Sequence, residues 1–349
     1  MQDTMDAIIF EKIGKTKLEK RPIPHPKTPT DAVVKVLIAS ICGSDLHMLS
    51  DPPGFPGRQG VICGHELIGE VVETGSGVAS VRVGQRVIID PNVPCGSCFF
   101  CKSGMPNMCE SLDLIGFFSD GAFAQYMMCD EKVMIPLEES VPLERAMFAE
   151  PINCVYGAIK KIKLIAGESV LVLGAGPIGL LFAQLLLANG AGKVFVSETS
   201  SLRREYAKKI GVTKCFNPME CNLEEAVKAE TGGLGVNVTV DAVGVLIGDG
   251  LACTRPGGRI LLFGQNFAKT ETISQNLITR KALSVMGNYI GDYTLPAVGM
   301  VLESGIIQPE KLISHRFDLA HFEEGLNIMR RGEAMKVAIY PWGLPEGLA

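Results

Sequence analysis

Beyond residue 168 the apolar positions of this chain fall into two alternating kinds of segment. Val170 to Leu173, Val194 to Ser197, Val236 to Asp241 and Arg259 to Phe263 are short, β-branched or aliphatic, and bounded by turns. They read as buried strands, the last one following a Pro-Gly-Gly turn at 256 to 258. Ile178 to Asn189, Leu202 to Ile210 and Leu223 to Thr231 are longer and read as helices. Repeated strand–helix units of this length predict an α/β region, a parallel sheet with helices on both faces.

The chain before residue 143 has another texture. Val33 to Ile38, Ile68 to Val72 and Arg86 to Ile89 predict short strands, and proline and glycine crowd the loops at 22 to 29 and 51 to 60. After Asn288 the alternation stops. Helices around Leu295 to Ser304 and His321 to Arg331 precede a last strand, Val337 to Tyr340, which has no strand–helix partner of its own. That strand is expected to return to the N-terminal region, making the α/β region an insertion.

Composition narrows the classes. A chain of 349 residues is too long for one ordinary core, and 47% apolar with 20% charged residues is globular. A net charge of −5, with no block of like charge, excludes nucleic-acid and polybasic membrane contact. The first residues carry no secretory signal pattern, and the longest apolar run, Ile178 to Ala188, is interrupted by Gln184. It falls far short of the ~20 residues a membrane span needs. Eleven cysteines without a signal are expected to be thiols or metal ligands in a reducing cytoplasm.

Cys95, Cys98, Cys101 and Cys109 place four thiols within one short loop. Closely spaced cysteine pairs wrap a tetrahedral zinc, and four thiolates leave no position for water, so this site reads as structural. The spacing also suits an iron–sulfur cluster; the neighbouring motifs argue for zinc. Upstream, Cys42-Gly-Ser44-Asp-Leu-His47 follows a strand and Gly64-His65-Glu66 enters another. A lone cysteine or histidine is more often packing than ligand. Together these residues offer a thiolate, an imidazole and a carboxylate, the makings of an open zinc site. Glu150, before Pro151, is a further acid.

The Val170 to Leu173 strand runs into Gly174-Ala-Gly176-Pro177-Ile178-Gly179 and then a helix. This is the strand–turn–helix setting of a dinucleotide fingerprint. Glu198 ends the next strand, nineteen residues beyond Gly179, where a carboxylate accepts ribose hydroxyls and disfavours a 2′-phosphate. NAD is therefore expected, although Arg203 and Arg204 stand close enough in sequence to serve NADP. Val243, just past the strand ending at Asp241, completes the expected cofactor set.

These motifs resemble those of the zinc-containing medium-chain dehydrogenases, the alcohol, polyol and threonine dehydrogenase superfamily. Gly64-His65-Glu66-x-x-Gly69-x-Val71, the four-cysteine lobe and the Gly174 to Gly179 turn carry the likeness, in that order. It spans essentially the whole chain. The resemblance implies a Rossmann doubly wound parallel sheet inserted into a mainly-β GroES-like catalytic domain. The corresponding boundaries are 1–153 with the zinc lobe, 154–291 for NAD, and 292–349 as the return segment. It further implies two zinc ions per chain, one catalytic and one structural, and a homodimer or homotetramer.

Residue by residue, Cys42 and His65 match catalytic zinc ligands, and Glu66 matches the adjacent glutamate that is a ligand in the polyol branch. Glu150 sits where other branches place a cysteine or aspartate ligand. Ser44 and His47 match a proton relay through the cofactor ribose, and an imidazole pKa of about 6.5 suits delivery to solvent. The sorbitol branch carries an Arg-Tyr pair that grips substrate hydroxyls. Here Ile290 and Gly291 stand in its place, with Asn288, Tyr289 and Asp292 as other polar candidates.

The expected activity is hydride transfer between NAD and a secondary hydroxyl of a polyol or sugar. The alternative is a threonine-type amino-alcohol or simple secondary-alcohol dehydrogenase. A binding protein that kept the fold and lost the reaction is the reading from a different class. It would be favoured by loss of Cys42, Ser44, His65 or Gly176, all of which are present.

Overall fold

The computed structural model of the protein describes residues 3–266 and 269–347. The chain forms two compact units: Met1–Asn153 with Gly291–Gly305 and Pro309–Ala349, and Cys154–Ile290 with Ile306–Gln308.

In the second unit, Val170 to Leu173 are completely buried, as a strand covered on both faces must be. Their strand, Ser169–Leu173, lies inside a six-stranded parallel sheet. The order is Lys214–Phe216, Lys193–Ser197, Ser169–Leu173, Val236–Asp241, Thr254–Leu262 and Ser284–Gly287. The chain starts in the middle and winds outward both ways, the Rossmann arrangement expected from the sequence. In such sheets the ligand crevice lies past the C-terminal strand ends where the order reverses, here after Leu173. The next helix, Pro177–Ala188, starts on a proline, whose fixed φ suits a first turn, and buries Gly179 to Leu186.

In the first unit a seven-stranded, mainly antiparallel sheet is centred on the long strand Asp31–Ile41. Glu66–Thr74, Tyr126–Asp130 and Lys336–Tyr340 all pair with it antiparallel. The last strand, Lys336–Tyr340, thus lies beside Asp31–Ile41. Its core gathers Val34, Val36, Ile41, Leu67, Val87, Phe123 and Val337, all but sealed from solvent.

Several elements differ from the sequence reading. The ending does have a strand–helix partner: Ile313–Asp318 runs parallel to Lys336–Tyr340 across the helix Phe322–Arg330. That edge strand carries half-buried Ser314, His315 and Arg316, so it lacks a strand's apolar alternation. The Pro-Gly-Gly segment lies inside the strand Thr254–Leu262, because pairing resumes only after a shift from Val236↔Thr254 to Val238↔Arg259. The strands Lys214–Phe216 and Ser284–Gly287 were not anticipated; at three and four residues they are too short for a periodic signal.

One ion pair ties the return segment down. Arg316 Nη2 donates to Glu144 Oε2 at 2.8 Å, and the Tyr340 hydroxyl donates to Oε1 at 2.7 Å. The Arg316 bond, helped by the tyrosine, holds the Glu144 carboxyl below its ordinary value despite partial burial. A depressed folded pKa means stability that is present above the unfolded value and lost as pH falls through the folded one. Glu144→Gln should therefore cost about 1–2 kcal/mol at about pH 7 and less at about pH 3, below the ordinary glutamate value of about 4.3. Denaturant midpoints of both proteins at the two pH values test this. A constant gap would contradict it.

Candidate active site

Register brings the first ligand set together. Ser40 sits opposite Glu66 in the pair of Asp31–Ile41 with Glu66–Thr74. Cys42 leaves one strand as His65 enters the other, so a sulfur, a ring nitrogen and a carboxylate oxygen of Cys42, His65 and Glu66 lie within 4.8 Å of one another. Gly64 is needed here. Its φ is +92°, and a Cβ would meet the Phe123 ring at 2.8 Å.

His65 and Asp45 are 5% and 1% exposed, and Glu66 is sealed. Asp45 Oδ2 accepts the Cys42 N–H at 2.8 Å, while Oδ1 stands 3.4 Å from His65 Nδ1. That places a carboxylate behind the imidazole and leaves its other nitrogen for the cluster. Lys336 Nζ and Ser40 Oγ both bond Glu66 Oε2. Burial pushes the Cys42 thiol up, and the Glu66 charge adds to it. Burial pulls His65 down, but Asp45 and Cys42 outweigh it and hold the ring well above its usual value. Asp45 Oδ1, His65 Nδ1 and Glu66 Oε1 are buried without a hydrogen-bond partner among the described residues. Crowded anionic groups and an unbonded carboxylate oxygen fit a cation, and a sulfur, nitrogen and oxygen set is what zinc takes.

The other residues of this group are placed differently. Glu150, half-buried in the helix Ala149–Ile162, is not among the three clustered donors and acts electrostatically on Lys336. Ser44 Oγ lies 3.7 Å from Cys42 Sγ, and His47 is exposed.

Cys95, Cys98, Cys101 and Cys109 form the second cluster, again within 4.8 Å. The Cys109 sulfur accepts the Cys95 N–H at 3.3 Å, and the Cys95 sulfur accepts the Cys98 N–H at 3.4 Å. The Ser97 hydroxyl and the Ser97 and Cys98 amides pull Cys95 down to about 6, whereas burial and its sulfur neighbours push Cys101 up to about 12. Four thiols this close ionise together only around a cation, and a tetrahedral zinc fits them.

The cofactor turn is in the second unit. Gly174 has φ +93°, and a Cβ on Gly179 would stand 2.0 Å from the Gly174 oxygen. Gly176 caps the helix without a side-chain bond, and a Cβ there would meet nothing within 4 Å. The turn therefore keeps open space at a helix N-terminus, the kind of place that suits an anionic group. Glu198, 7% exposed, accepts Ala175 N–H through Oε2 and Ser200 N–H through Oε1, each at 2.8 Å. Arg204 Nη1 donates to the Glu198 and Thr199 carbonyls, and Arg203 Nη1 lies 4.0 Å from Glu198 Oε2. Val243 lies against the turn, where a Cβ on Gly174 would meet its Cγ2 at 2.6 Å.

The alcohol dehydrogenase GroES-like domain profile matches residues 28–139, and the zinc-binding dehydrogenase profile matches residues 177–303. The L-threonine 3-dehydrogenase of Pyrococcus horikoshii is 35% identical over 97% of this chain and 99% of its own. The chain belongs to the zinc-binding dehydrogenase family. The erythritol/L-threitol dehydrogenase of Mycolicibacterium smegmatis is another relative, 31% identical over 97% of this chain and 98% of that one. Among solved structures, a short chain alcohol dehydrogenase of Escherichia coli CFT073 in complex with NADH superposes with a TM-score of 0.90. It is 31% identical, over 97% of this chain and 99% of that one. As a zinc-binding dehydrogenase, the protein is an oxidoreductase acting on CH–OH groups with zinc and a nicotinamide dinucleotide.

Sequence reasoning passed over Asp45, Ser40 and Lys336. Asp45 had a signal: an acid three residues after Cys42, at the start of the helix Gly43–Met48, is the spacing of a reciprocal cap. Lys336 had none, being a single lysine 270 residues from its partner. No helix among the described residues is long and apolar enough to cross a membrane.

Proposed function

We propose that this protein oxidises a secondary hydroxyl of a polyol or sugar with NAD, using zinc held by Cys42, His65 and Glu66. The carrying observation is the donor set, in which a carboxylate takes a place beside one sulfur and one imidazole. The erythritol/L-threitol relative supports the same substrate class. None of the eleven cysteines is in a disulfide, which suits a reducing cytoplasm.

Zinc, when bound, supplies Lewis acidity that makes an alcohol proton labile near neutral pH. The chain's own residues do the rest. Asp45 holds the Cys42 backbone in place and sets a carboxylate 3.4 Å behind the His65 ring. Ser44, beside the Cys42 sulfur, is the hydroxyl that accepts the alcohol proton as it passes its own on by way of the cofactor ribose, and the exposed His47 receives that proton and releases it to solvent. Glu198 braces the cofactor turn through Ala175 N–H and keeps an acid where ribose hydroxyls are read.

The grip on the rest of the substrate differs from the sorbitol branch. Gly291 has no room for a side chain, since a Cβ would meet Asn153 Nδ2 at 2.0 Å. Asn288 donates to the Ile290 carbonyl at 3.1 Å and keeps its Oδ1 unbonded among the described residues. We expect oxidation of a vicinal diol, with sorbitol a poor substrate. A panel of tetritols, pentitols, sugars, L-threonine and simple secondary alcohols, assayed with NAD, tests this. The threonine-type relatives favour a second reading, and turnover of L-threonine with no polyol oxidised would establish it in place of the first.

Cofactor choice is a separate expectation. Arg204 is spent on two backbone carbonyls, so Glu198 should dominate. kcat/KM with NAD should exceed that with NADP by at least about tenfold, roughly 1.4 kcal/mol. Glu198→Gln, which keeps one accepting oxygen, should narrow the ratio. Equal efficiencies in the unmutated protein would refute the assignment.

A further inference from the structure

The two carboxylate oxygens of Glu66 have opposite surroundings. Oε2 accepts from both Lys336 Nζ and Ser40 Oγ, whereas Oε1 is buried with no hydrogen-bond partner among the described residues. Ser40 and Glu66 are 0% exposed and Lys336 only 3%. Lys336 opens the last strand of the chain, whose Val337 and Ala338 pair with Ile41 and Ser40. The return segment therefore places an ammonium one strand away from Cys42. An apolar side chain would fill a buried strand position at far less desolvation cost, so the charge calls for an explanation at its partner.

We propose that Lys336 is a positioning residue for the zinc centre: with Ser40 it occupies Glu66 Oε2, so that Glu66 meets the metal through Oε1 alone. This rests on reading Cys42, His65 and Glu66 as zinc ligands. A carboxylate without such partners is free to offer both oxygens, and each added donor closes the position an open site keeps for substrate. Charge acts in the same direction. A thiolate and a carboxylate together cancel a divalent ion, and a fixed ammonium on the carboxylate restores positive potential at the substrate oxygen. Lysine suits the task because its point charge holds one oxygen, where the arginine fork matches both.

Cobalt spectroscopy on the full-length protein tests this, with the Cys42-site zinc exchanged for Co2+ and the four-cysteine zinc left in place. The unmutated protein should show a thiolate charge-transfer band and the strong visible absorption of a four-coordinate ion. A missing charge-transfer band, or one unaffected by Cys42→Ala, would refute the ligand set itself, and the proposal with it. With the ligand set intact, Lys336→Met should free Oε2, raise the coordination number and cut the visible absorption by at least about half. Ser40→Ala should move it the same way by less. In a Glu66→Gln background, Lys336→Met should add nothing, because its effect passes through that carboxylate. A folded Lys336→Met protein with the unmutated spectrum overturns the proposal. If that variant does not fold, an unchanged Ser40→Ala spectrum overturns it instead.

Discussion

Alanine at Cys42 is expected to lower kcat by at least about a thousandfold, since removing an oxygen-polarising ion forfeits several kcal/mol of transition-state stabilisation. The fold should survive. Cys42 lies at the junction of a strand and a short helix, and its structural bond to Asp45 is made by its backbone N–H, which alanine keeps. What disappears is the sulfur among three donors that lie within 4.8 Å, leaving an imidazole and one carboxylate, too few for tight zinc. Elemental analysis should fall from two zinc equivalents to one. Cys98→Ala should take the other ion, destabilise the loop from Cys95 to Cys109, and leave the Cys42 cluster loaded. Cys42→Ala retaining both ions, or Cys98→Ala retaining both, would sink the two-site assignment.

The contrast between these clusters also explains what could be read from the sequence. The four cysteines fall within fifteen residues, so spacing alone nearly specifies their geometry. The Gly174 to Gly179 turn is equally local, and the strands around it are buried on both faces and therefore continuously apolar. Cys42 and His65-Glu66 were less exposed to inspection, because they meet only through the antiparallel pairing of two strands. Glu150 looked equivalent to Glu66 in sequence, yet its helix leaves it outside the clustered donors. Lys336 was invisible, since nothing in a Lys-Val-Ala-Ile-Tyr strand says that its first residue points at a carboxylate 270 positions earlier. The polar edge strand Ile313–Asp318 escaped for a related reason: half-buried at a sheet margin, it carries no period-two signal.

Two glycines of the cofactor turn should respond to the same substitution in opposite ways. At Gly179 a Cβ would lie 2.0 Å from the Gly174 carbonyl oxygen. That oxygen cannot retreat cheaply, because Gly174 is fixed at φ +93° and its N–H donates to the Ser197 carbonyl at 2.8 Å. Gly179→Ala must part helix from strand, at a cost of about 1–3 kcal/mol or more, with or without cofactor. At Gly176 the protein itself offers no resistance: a Cβ meets nothing within 4 Å, and its φ of −65° is ordinary for alanine. That space suits a pyrophosphate, which glycine turns of this kind let approach the backbone. Gly176→Ala should therefore keep the melting temperature of the cofactor-free protein and weaken NAD by about ten- to a hundredfold, roughly 1.4–2.8 kcal/mol. Melting curves without cofactor, paired with NAD titrations by fluorescence, separate the two effects. Unchanged NAD affinity in Gly176→Ala would move the dinucleotide off this turn, and an unchanged melt in Gly179→Ala would show that the helix can yield.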